Sequence, residues 1–78
     1  MIEMGMGYFV NRTSENSLTY RQNYTSRYFT DEFKAREFYK LTVARAKQLV
    51  KKKSVCVHVW LVKDVDGLHT ELASERIL

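Results

Sequence analysis

Proline is absent from this chain and glycine occurs only three times, so the connections between regular elements have to be few and short. A single cysteine, Cys56, excludes an intramolecular disulfide and points to a reducing compartment. No apolar run approaches the roughly 18 residues needed to span a bilayer, which argues against a membrane protein. The first ten residues have neither the charged start nor the long apolar stretch of a secretory leader. A cytoplasmic location is therefore expected, and the Asn-X-Thr triplets at Asn11 and Asn23 carry no meaning as glycosylation acceptors.

Catalytic signatures are equally scarce. No serine-nucleophile motif, acid/base pair or phosphate loop occurs, and Gly5-Met6-Gly7 lacks the third glycine and the following helix of a dinucleotide loop. Cys56 and His58 share one strand face, and Glu75 is expected opposite His58, so the three could in principle gather. A flat sheet surface offers no pocket, however, and a cysteine among valines behaves as a small apolar residue. The expectation is a protein that is not an enzyme and has neither cofactor nor metal.

What remains is one small α+β domain spanning residues 1–78, with 45% hydrophobic, 28% charged and 13% aromatic residues. A chain of this size buries only about 60–65% of the surface its unfolded form exposes, so association is a natural way to gain more burial. Met6 to Val10 reads as a first strand, with Met1 to Gly5 as a frayed or edge extension. The polar cluster Asn11 to Ser17 reads as a turn, and Leu18 to Phe29 as a long second strand with Tyr20, Tyr24 and Tyr28 on one face.

Thr30 is a candidate N-cap, with Asp31 and Glu32 in the first turn of a helix that runs to about Lys52. Ala35, Phe38, Tyr39, Thr42, Val43, Ala46, Leu49 and Val50 recur at the 3.6-residue period of one buried face. Ser54 to Lys63 is a third strand, and Asp66-Gly67 is a strong hairpin signal. A two-residue turn there places Val62 opposite Glu71, Leu61 opposite Leu72, Trp60 opposite Ala73, His58 opposite Glu75 and Cys56 opposite Ile77. With short connections, the second and third strands run parallel through a right-handed crossover. The expected fold is ββαββ, a four-stranded mixed sheet with one helix on one face, the place of the first strand in the sheet being open.

The third strand is apolar on both sides. Val55, Val57, Val59 and Leu61 should face the helix, joined by Leu68, Leu72 and Leu78. The opposite side would then carry Cys56, His58, Trp60, Val62, Ala73 and Ile77, rimmed by Glu71 and Glu75. An apolar centre with a tryptophan and a charged rim has the anatomy of a protein contact, made with a second copy (a homodimer) or another partner. The plainer alternative is a modest exposed patch, or one covered by Met1 to Gly5.

A runner-up lies on the helix. Residues 31–53 hold eight Lys/Arg against three Asp/Glu, whereas the rest of the chain holds five against six. Arg36, Lys40, Lys47 and Lys51 line one outer stripe that could contact the phosphates of a nucleic acid, although a solvated helix face looks the same. Tyr20, Tyr24 and Tyr28 beside Arg21 and Arg27 could stack bases, but tyrosine is also a common strand former.

Overall fold

In the computed structural model, which describes residues 5–78, the chain runs β1 (Met6–Asn16), β2 (Gln22–Phe29), α1 (Glu32–Lys52), β3 (Val55–Val65) and β4 (Leu68–Ile77). The ββαββ order and the α+β class are as expected. The suggestions that residues 1–4 extend the first strand or cover the sheet lie outside the described residues. The overall extents of 51 × 22 × 14 Å fit two layers, one sheet and one helix.

The sheet order is β2-β1-β3-β4 and every neighbouring pair is antiparallel, which corrects the expected mixed sheet. β2 and β3 do run in the same direction, but β1 is inserted between them. The reason is burial. Tyr8 and Val10 of β1 are 4% and 2% exposed beneath the helix, whereas the matching positions of β2, apart from Phe29, are Arg27, Thr25 and Asn23. The strand with apolar residues to hide takes the centre, and the polar one takes the edge.

β1 also runs further than its apolar residues do, straight through Arg12-Thr13-Ser14-Glu15-Asn16. As a central strand it pairs along both edges, so its backbone groups are satisfied whatever its side chains are. The turn moves to residues 17–21. The Asn16 side-chain oxygen accepts from the backbone amides of Leu18 and Thr19 at 2.8 and 3.1 Å. Tyr20 there takes a positive φ of 58°, so β2 begins only at Gln22.

Asp31 caps α1 in place of Thr30, its carboxylate accepting from the Phe33 amide at 2.8 Å. The helix lays its expected stripe on the sheet. Ala35, Val43 and Ala46 are buried against Val10, Val57, Val59, Leu61 and Ile77, with Phe38, Tyr39, Leu49 and Val50 packed around them. The two alanines let the helix approach closely enough to exclude water from the valines and Leu61.

The β3–β4 hairpin turns at Asp66-Gly67, with φ of 51° and 85° and Val65 opposite Leu68. Val62 pairs with Glu71 as expected, but the next pair is Leu61 with Ala73. Leu72 is thus an extra residue, a β-bulge, and both Leu72 and Ala73 pack on the core. Every later position shifts by one. Ala73 and Ile77 therefore lie on the helix side, which corrects their expected place on the open face. Leu68 and Leu78 are 76% and 80% exposed and do not join the core.

Candidate interaction surface

The face of the sheet away from the helix is formed by alternate residues of all four strands. The registers place Tyr24, Ser26 and Tyr28 of β2 beside Thr13, Asn11 and Phe9 of β1. These in turn lie beside His58, Trp60 and Val62 of β3, and then Arg76, Ser74 and Glu71 of β4. Of the six residues expected here, Cys56, His58, Trp60 and Val62 are on this face and Ala73 and Ile77 are not. Val62 is also 7% exposed, so it lies under its neighbours and presents little surface. Cys56 is exposed and unpaired.

Two aromatic rows cross the strands. In one, the Phe9 ring lies 5.0 Å from Tyr28 and 5.9 Å from His69 between centroids. In the other, Trp60 lies 6.3 Å from Tyr24 and stacks on His58 at 4.7 Å. Between the rows, the buried Asn11 side-chain oxygen accepts from the Tyr24 hydroxyl at 3.1 Å and the Ser26 hydroxyl at 2.6 Å. Gly7 has a specific part in this, because a Cβ there would collide with the Tyr28 ring and hydroxyl. The absence of a side chain lets Tyr28 lie across β1.

The cluster of Cys56, His58 and Glu75 is not assembled. Glu75 pairs with Val59, and its carboxylate lies 3.7 Å from the Lys47 ammonium on the helix side. The bulge separates it from His58, whose partner is Arg76. Among the described residues no group of three or more potential ligands is gathered for a metal. His69 lies beside Asp64, 3.4 Å from its carboxylate.

The outer helix stripe is partly neutralised. Arg36 bonds Glu32 at 2.8 Å, Lys40 lies 4.0 Å from Glu37, and Lys47 meets Glu75. These pairs are exposed and individually weak, but each places a carboxylate where a phosphate would have to approach. Of the four stripe residues, Lys51 alone has no ion pair among the described residues.

Positive charge is concentrated instead in a groove that joins Arg21 and Arg27 to cations the sequence did not group with them. One helix is about 10 Å wide and cannot cover four strands. The edge of α1 toward β2 therefore leaves a groove made of two adjoining hollows of about 480 and 490 Å³ that share Arg12. Arg27 and Arg45 line the first hollow, Arg21 and Lys53 the second, and no acidic residue lines either. The signal was available only in part. Thr42, Arg45 and Leu49 follow the helical period, but Arg12 lay in a segment that read as a turn.

Compared with known families, curated proteins and solved structures, the chain matches no family model, no curated protein and no solved structure. No helix among the described residues is long and apolar enough to cross a membrane.

Proposed function

We propose that this protein is a small non-enzymatic interaction module that pairs with a second copy of itself through the open aromatic face of its sheet. The observation that carries this reading is a broad face with two aromatic rows and no described residue layered over it, in a molecule whose helix covers only the other side. Two such faces pack about 10 Å apart in a sheet-on-sheet contact.

A second copy offers one specific charge contact. On this face Arg76 and Glu15 lie toward one end of the sheet, while Glu71 and Asp64 lie toward the hairpin end. A two-fold axis crossing the strands brings Arg76 of each copy toward Glu71 and Asp64 of the other. Tyr24 and Tyr28, 62% and 50% exposed, offer ring surface with a polar tip, the type of side chain enriched at interfaces.

Solution mass by light scattering on a sizing column tests this, for the wild type and for Trp60→Glu. A wild-type dimer that becomes a monomer on substitution, with helical content unchanged by circular dichroism, supports the reading. A wild-type monomer at every concentration up to millimolar, or a dimer indifferent to Trp60→Glu, overturns it.

A further inference from the structure

We propose that the groove between α1 and β2 binds the backbone of single-stranded nucleic acid. The groove opens on the helix side of the sheet and meets the pairing face only at Tyr24 and Ser26 of the edge strand. Arg12, Arg21, Arg27, Arg45 and Lys53 line it, none of them in an ion pair among the described residues. Five cations along one channel with no carboxylate among them make it attractive to an anion, because like charges in a concave site reinforce one another's field.

The shape selects among anions. From Arg27 to Gln22 along β2 the groove runs about 16 Å, at roughly 3.3 Å per strand residue, and Arg21 extends it beyond the strand. That is long for one small phosphorylated molecule and suits a chain with repeated phosphates. The walls are a single helix and a single edge strand, so one extended strand can lie between them, whereas a duplex reaches only the rim. Four of the five cations are arginines, whose planar forks take phosphate oxygens in pairs.

One of these arginines is held in place before any ligand arrives. The Arg27 guanidinium lies 5.1 Å from the Phe38 ring centroid and 5.7 Å from that of Phe29, and the two rings are themselves 5.4 Å apart. Less side-chain freedom is then lost when a phosphate binds. Toward the Arg21 end the exposed Tyr24 also lines the groove, and a base turned out of it could stack there.

Fluorescence anisotropy with a labelled 20-nucleotide oligothymidine tests the proposal. Five phosphate contacts on a single strand give a log–log salt slope of about −3.5, or roughly a hundredfold loss of affinity between 50 and 200 mM salt. Arg12→Gln with Arg45→Gln should flatten the slope by about 1.4 and weaken binding at least tenfold at low salt. The pair Lys40→Gln and Lys51→Gln on the outer helix face should change neither. Absence of binding at 50 mM salt overturns the proposal. So does a loss caused by the outer-face pair alone, or equal binding of a polyglutamate of matched charge. Thermal melts of both double variants confirm folding, and the mass measurement on Trp60→Glu reports separately on the pairing face.

Discussion

The two faces of the sheet are made from alternate residues of the same four strands, and they keep water away from the backbone by different means. Directly beneath the helix the centre of the sheet is aliphatic, with Val57, Val59 and Leu61 at most 1% exposed, and the cover is a second layer. On the other side the cover is lateral. Rings lie along the sheet against one another, and the polar atoms between them are paired within the face. An aliphatic face needs another element on top of it to be stable. A face of aromatics and hydrogen-bonded amides can stand with one side in solvent and still be suited to a partner.

The largest effect should come from breaking the aliphatic side. Leu61→Ala removes a side chain that is 0% exposed and leaves a cavity under the helix, at a cost of about 2–5 kcal/mol. For a domain this small that is a large part of its stability. Urea titration followed by circular dichroism should show the midpoint collapse. A loss under about 1 kcal/mol would mean that the helix does not seal this face as tightly as the structure indicates.

Gly7→Ala tests the other side by the opposite route, adding an atom instead of removing several. The new methyl occupies the place of the Tyr28 ring, which has to swing off β1 and give up its contact with Phe9. A cost of about 1–3 kcal/mol is expected, as for other overpacked sites. The near-ultraviolet circular dichroism should change while the far-ultraviolet signal stays. Self-association should weaken along with it if the flat Tyr28–Phe9 row is part of the contact.

How much of this contrast could be read from the sequence depended on whether a residue's neighbours carry a repeating signal. The helix stripe and the Asp66-Gly67 hairpin do, and both were found where expected. The second half of β1 does not. Arg12 to Asn16 is polar on both faces, and only pairing along both edges makes it a strand. Reading it as a turn also hid Asn11 and Thr13 from the open face and Arg12 from the groove. The bulge at Leu72 leaves no mark either, because no glycine or proline announces it. One extra residue was enough to move Ala73, Glu75 and Ile77 from one face to the other, while Cys56, His58, Trp60 and Val62, on the unbroken strand, stayed where alternation put them.

Asn11→Ala should have a smaller effect, although Asn11 is the buried polar centre of the open face. Its side-chain oxygen takes two hydroxyl donors, but Tyr24 and Ser26 are themselves exposed and can turn to water when it is lost. A cost of about 0.5–1.5 kcal/mol per hydrogen bond is the usual range, and solvent access favours its lower end here. The Trp60 fluorescence should shift to longer wavelength as Tyr24 comes free of its tether. A loss as large as that of Leu61→Ala would show that the two faces are more alike than their composition suggests.

The smallest expected effect lies where the aliphatic face meets the start of the helix. The Tyr8 hydroxyl donates to Glu32 at 3.1 Å, and Arg36 bonds the other carboxylate oxygen at 2.8 Å. Arg36 first and Tyr8 second hold the Glu32 carboxyl below its ordinary value, while burial and then Glu32 raise the Tyr8 phenol above its own. A carboxyl lowered in the folded state contributes stability that is full above the unfolded value near 4.5 and fades as pH falls through the lower folded one. A phenol raised in the folded state acts in the other direction, its contribution being full below 10.0 and lost as pH rises past it. Glu32→Gln should therefore be less stable than the wild type at neutral pH and converge with it in acid, as followed by thermal melts between pH 2.5 and 7. Tyr8→Phe should flatten the alkaline limb. Parallel curves for Glu32→Gln and wild type would mean that the Tyr8–Glu32–Arg36 chain is made on the surface at no gain, and that the aliphatic face alone holds the helix to the sheet.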